Sequence, residues 1–133
     1  MRSWHPIPPS ALDRRRLLGE HNELHAMRTV LVRLRAWLAA PVGKRPGYSS
    51  HPEVVRWYDH EGALRARHDA VVAEMLARGY RHESPLELDG GLYWPDVVEP
   101  VEVMRAKLAA KIAASVDKDG AARIARARLG EPG

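Results

Sequence analysis

Leu17, Leu24, Leu31 and Leu38 recur every seven residues, and Met27 and Leu34 hold the second apolar position of the same repeat. Residues three, four and seven apart share one face of an α-helix, so this spacing defines a single apolar stripe. It predicts a helix from about Leu12 to Leu38, with Asp13 or Ser10 as its N-cap. A helix carrying such a stripe must be covered by other elements, and the chain offers two. Pro52 suits a first helical turn and Gly79 a stop, so a second helix is expected from Pro52 to Arg78. Its stripe is Val54, Trp57/Tyr58, Leu64, Val71/Val72 and Met75. A third, shorter helix starts near Val101, with Val101, Met104, Leu108 and Ile112 on one face, and "DKDG" ends it. Ahead of the first helix, "MRSWHPIPPSALD" carries three prolines in its first nine residues, which predicts an extended arm. The stretches "APVGKRPGYSSHP" and "SPLELDGGLYWPDVVEP" read as loops, and no strand pattern or internal repeat is present. The expected fold is all-α: one compact domain of about three helices over residues 1–116, followed by a basic tail at 117–133.

A chain of 133 residues can bury one core unaided. It has no cysteine, which removes disulfides and thiolate metal sites. No apolar run approaches the ~18 residues of a membrane span, and no signal-peptide pattern opens the chain. A cytoplasmic protein with no membrane partner is expected. The net charge of +4 is unevenly spread: residues 1–45 carry +6, residues 46–100 carry −5 and residues 101–133 carry +3. Basic ends around an acidic middle suit a polyanionic partner.

Polar residues interrupt both stripes. Glu20 falls where the Met27/Leu34 series calls for an apolar side chain, and Glu61 and His68 alternate with Leu64 and Val71. A carboxylate in a core seam costs several kcal/mol unless it is paired or solvated. Two helices that both turn acids and imidazoles inward suggest a shared polar pocket of Glu20, His21, His25 and His68. A satisfied buried pair such as Glu20–His68 would meet the same requirement. His21 and His25, four apart, project from one helical face as two metal ligands do, with His68 or Asp69 as a third. The acid in "HNELH" stands at the wrong offset for H-E-x-x-H, however, so no metal is assigned. Side-chain nucleophiles are poorly represented: there is no cysteine, no G-x-S-x-G elbow and no glycine-rich phosphate loop. The chain's own α-amine is a nucleophile of the right kind, because such amines titrate near 8 and keep a neutral fraction at physiological pH.

Three segments carry a resemblance: "LLGEHNEL", "WYDHEGALRARHDAVVAEMLARGY" and "LYWPDVVEPVEVMRAKLAAKI". In order and spacing, residues 1 to about 113 resemble the pyrimidine-dimer DNA glycosylase family. The resemblance implies a compact set of three helices with the N-terminal arm threaded between them. It also implies an activity: the α-amine of the first residue attacks C1′ of a damaged nucleotide, displaces the base and forms a Schiff base, and β-elimination cleaves the strand. Arg2 is bulky, so Met1 is expected to be retained and to supply that amine. The second glutamate of E-x-x-E-L, Glu23, matches the family's acid/base residue. Arg2, Arg15, Arg16, Lys107 and Lys111 match DNA-contacting positions. Asn22 stands where the family has an arginine beside the glutamate, and Ala26 replaces another, with Arg28 the nearest substitute. An Arg/Ala tail replaces the family's aromatic C-terminal segment. The implied protein is a monomer that acts on double-stranded damaged DNA and needs neither metal nor cofactor. The alternatives are a non-catalytic DNA-binding module on the same fold and a metal-dependent hydrolase using His21, His25 and His68.

Overall fold

Asp13 begins the first helix: its backbone is extended and its side chain accepts the Arg16 N–H at 3.2 Å, capping α1, Arg14–Ala39. The cap is therefore Asp13 and not Ser10, which lies in a 3-10 turn at Pro9–Ala11. The computed structural model describes residues 1–128 except 83, 91 and 98, with the backbone alone for 116–128. All its described elements are helical, and they divide into two units, residues 1–98 and 99–133. Among the described residues no helix is long and apolar enough to cross a membrane.

In the first unit, Leu17, Leu24, Met27, Leu31 and Leu34 are buried as the heptad spacing requires. Leu38 is not: it is 47% exposed and borders a surface cavity of about 210 Å³ with Arg45, Ser49, Val55 and Tyr58. The last turn of α1 thus runs past the elements that cover the earlier stripe.

The single helix expected over Pro52–Arg78 is two. α2 spans Pro52–Trp57, with the His51 ring nitrogen accepting the Glu53 N–H at 3.1 Å. α3 spans Glu61–Ala77. Between them Asp59 adopts a left-handed conformation (φ 65°), and the His60 N–H bonds the Trp57 carbonyl at 2.8 Å. Asp is one of the few residues with a side chain that tolerates this region, so the corner is encoded by a residue that gives no periodicity signal. Arg35 of α1 secures it with Nη2 to Asp59 at 2.7 Å and Nε to Glu61 at 2.5 Å. α3 ends as its sequence predicts. Gly79 has φ 82°, its N–H bonds the Leu76 carbonyl at 3.0 Å, and the Tyr80 N–H reaches back to Met75 at 2.9 Å. This pair of bonds is the Schellman motif, which needs φ > 0 at the glycine.

The second unit contains α4, Val101–Arg128. The expected break at "DKDG" is absent, and among the described residues this α-helix is the longest instead of a short third one. One interior glycine costs a helix only about 1 kcal/mol, too little to stop it among good helix formers. Residues 129–133 of the expected tail lie outside the described residues.

Candidate active site

The N-terminal arm is where the buried carboxylates are used. Trp4, Ile7 and Leu12 anchor it in the core. The arm is not extended throughout: it turns from Trp4 to Ile7, where the Ile7 N–H bonds the Trp4 carbonyl at 2.8 Å, and again in the 3-10 turn at Pro9–Ala11. Side chains meet several of its remaining backbone groups. Glu20 accepts the Trp4 N–H at 2.8 Å and the Ser3 hydroxyl at 3.2 Å. Glu53 accepts the Ser3 N–H at 3.3 Å and the Trp57 indole N–H at 3.2 Å. The arm's carbonyls are met by guanidinium groups: Arg56 donates to His5 O at 2.8 Å, Arg67 to Ile7 O at 2.7 Å and Arg78 to Leu12 O at 2.6 Å. Arg67 also grips Glu20 with two hydrogen bonds, 2.6 and 2.9 Å, deep in the core. The partner of Glu20 is therefore Arg67 and not His68. Two charges removed from water are tolerated here because Glu20 accepts four hydrogen bonds and Arg67 donates three.

This clamp positions the chain's first atom. Glu20 and Glu23 are three apart, so they lie on one side of α1 about one turn from each other. With Ser3 and Trp4 held at Glu20, the two residues before them reach no further than about 7 Å. The Met1 amine comes to 3.7 Å from Glu23 Oε2, with the Met1 side chain nearly covered and Glu23 40% exposed. Arg2 lays its guanidinium 4.7 Å over the Trp4 ring, and its Nη1 is buried without a hydrogen-bond partner. An amine beside a partly exposed carboxylate can pass a proton to it and act as a nucleophile. The same carboxylate can then return a proton or stabilise positive charge.

The residues expected to share one pocket fall in two places. Glu20 belongs to the arm clamp. At about 100° per residue, His21 and His25 lie on the opposite flank of the buried stripe from Glu23. There they meet His68 of α3, with His25 Nε2 and His68 Nε2 3.2 Å apart. A fourth ring joins them: His82 stacks edge-on with His21 at 5.0 Å and lies 5.4 Å from His68. Sequence reasoning missed His82, which stands in an aperiodic segment after α3 and shares no helical spacing with the other three. One ligand nitrogen from each of the four lies within 4.8 Å of the rest. Burial first, then the neighbouring rings of His25, His68 and His82, pulls the His21 pKa from 6.5 down to about 4. Burial and then His68 lower that of His25 as well. His5, stacked on Trp94 at 4.4 Å, is lowered to about 4 by burial and by the charges of Arg67 and Arg56.

The remaining candidates for DNA contact fall on α1 and α4. Arg15 is exposed near the start of α1, and Arg16 pairs with Asp13 at 3.0 Å. Asn22 is exposed on α1, and Arg28 donates to the Glu87 carbonyl at 3.3 Å. On α4, Lys107 pairs with Glu99 at 2.6 Å and Lys111 is exposed.

The chain is thus a helical protein that holds its own N-terminal amine near a carboxylate. Residues 1–88, two-thirds of the chain, match the family model described as pyrimidine dimer DNA glycosylase, and the chain belongs to that family. No curated protein and no solved structure gives a significant match. The family carries a DNA glycosylase role and DNA as the substrate.

Proposed function

We propose that this protein is a DNA glycosylase with abasic-site lyase activity, in which the Met1 α-amine is the nucleophile and Glu23 the acid/base. The observation that carries this reading is the 3.7 Å approach of the amine to Glu23, imposed by an arm whose backbone is bonded to Glu20, Glu53, Arg56 and Arg67. The amine, relieved of its proton by Glu23, attacks C1′ of the nucleotide, and the glycosidic electron pair leaves with the base. Glu23 stabilises the positive charge that develops on the sugar and returns a proton as the ring opens to the imine. Abstraction of a C2′ proton then expels the 3′ phosphate. Reaching C1′ requires the nucleotide to leave the stack, at a cost of a few kcal/mol that a damaged site reduces. Arg2, next to Met1 in the chain, would turn from the Trp4 ring to hold a flanking phosphate. Arg15, Arg16, Asn22, Arg28, Lys107 and Lys111 supply further backbone contacts, and binding weakens steeply with salt. The expected partner is duplex DNA carrying a pyrimidine dimer or an abasic site, bound by a monomer. No step draws on a metal or cofactor.

Borohydride reduction in the presence of an abasic-site duplex tests this. A covalent protein–DNA adduct is expected, with mass spectrometry locating it at the amino group of Met1. Replacing Glu23 by Gln should lower turnover by about 10²–10⁴-fold while DNA binding persists. Binding without any trapped adduct would sink the mechanism.

A further inference from the structure

The four-histidine cluster is not used by the chemistry above, and its geometry asks for an occupant. We propose that His21, His25, His68 and His82 form a four-nitrogen site for a divalent transition-metal ion of the zinc type, which ties the segment after α3 to α1 and α3. Three observations carry this. The first is convergence: four imidazoles from three parts of the chain bring ligand nitrogens within 4.8 Å of one another. A metal–nitrogen distance of about 2.0–2.1 Å sets tetrahedral nitrogen–nitrogen edges of about 3.3–3.4 Å. The His25–His68 pair, at 3.2 Å, already stands at that spacing. The widest pair needs to close by roughly 1.4 Å, within reach of side-chain rotation.

The second observation is that two of the four converging nitrogens lack protein partners. Nε2 of His21 and Nε2 of His82 are buried with no hydrogen bond. Between His25 and His68, Nε2 meets Nε2, so only one of them can donate to the other. A cation at the centre would satisfy all four lone pairs together.

The third is the outer shell. The far nitrogen of His68, Nδ1, bonds the Asp69 carboxylate at 3.0 Å, which holds the proton there and leaves the Nε2 lone pair to face the cluster. A carboxylate behind a ligating imidazole is the arrangement that orients histidines toward zinc.

Imidazole donors suit zinc, copper and nickel and exclude magnesium and calcium as the natural occupant. Four protein ligands close a zinc coordination sphere and leave no position for a reactive water, so the site is structural. The position agrees: the cluster lies across the buried stripe from Glu23. Other described contacts of the segment it would hold include buried Leu86, the Arg28 bond to Glu87 and a 3.8 Å pairing of Arg65 with Asp89. This inference does not depend on the glycosylase reading.

The test uses the full chain, stripped with chelator, desalted and titrated with zinc or with cobalt as a coloured probe. One equivalent of metal per chain is expected, with the visible bands of four-coordinate cobalt. Protease cleavage within residues 80–90 should slow when zinc is added. His82→Gln should weaken zinc binding by about a hundredfold or more. Asp69→Asn, at an exposed position that does not disturb the core, should weaken it about 10–100-fold. His60→Gln, away from the cluster, should leave it unchanged. Binding below a tenth of an equivalent, or binding that survives both His82→Gln and Asp69→Asn, would overturn the proposal.

Discussion

Replacing Arg67 by Met removes the centre of the arm clamp. The substitution deletes two hydrogen bonds to Glu20 (2.6 and 2.9 Å) and one to the Ile7 carbonyl (2.7 Å). Glu20, 2% exposed, would keep only the Trp4 N–H and the Ser3 hydroxyl. Removing one partner of a buried ion pair costs about 3–5 kcal/mol, because the other charge stays out of water. A domain of this size has a total stability of about 5–15 kcal/mol, so the loss is a large share of it. It corresponds to roughly 10–20 °C in Tm. Adding Glu20→Gln should return part of the loss: Gln still offers an oxygen to Trp4 N–H but brings no charge. Urea denaturation of the four proteins of this double-mutant cycle gives the coupling, expected to be at least about 2 kcal/mol. Additive single effects, or a cost below about 1 kcal/mol for Arg67→Met, would show that the pair does not hold the arm. The arm also sets the position of the Met1 amine, so the cycle should be repeated with borohydride trapping on protein that remains folded.

Two further outcomes follow from the same contacts. His5 has its pKa lowered from 6.5 to about 4, so between these values the unfolded chain binds a proton that the folded one refuses. Stability from this group is complete above pH 6.5 and is lost as pH falls toward 4. The shift has a ceiling of about 3.4 kcal/mol, which half-exposure reduces to about 1–2 kcal/mol. Because His21 titrates in the same window, His5→Asn is the reference: the difference in unfolding free energy between the two proteins should change with pH only below 6.5. At the α2–α3 corner, Asp59→Val places a β-branched residue at φ 65° and should cost about 2 kcal/mol, whereas Asp59→Gly should stay within about 0.5 kcal/mol. Equal costs in thermal unfolding would mean that the backbone conformation there is not the constraint.

Much of the fold was legible along the chain because helix signals are local. The leucine spacing of α1, the Asp13 cap, Pro52 at a first turn and Gly79 as a stop each act within a few residues. The proline-rich start likewise marked an arm without α-helix, but not the turn from Trp4 to Ile7 or the 3-10 turn at Pro9–Ala11 that bend it. Signals failed where two local rules competed. "DKDG" looks like a break, yet one glycine is too cheap to end a helix, and Asp59 makes a corner inside a pattern that otherwise reads as continuous.

The sequence by itself determined that acids and imidazoles would be forced inward, since Glu20, Glu61 and His68 stand at stripe positions that packing must bury. Only the tertiary structure decided their partners. Glu20 meets Arg67 at a separation of 47 residues, and His68 meets His25 at 43. His82 enters the cluster from a segment without periodicity. The Met1 amine reaches Glu23 because the arm's backbone is bonded along its length to side chains from all three helices of the first unit. A buried charge must find a partner, which composition and spacing can announce. Which partner it finds depends on how segments far apart in sequence thread past one another, and no local pattern encodes that.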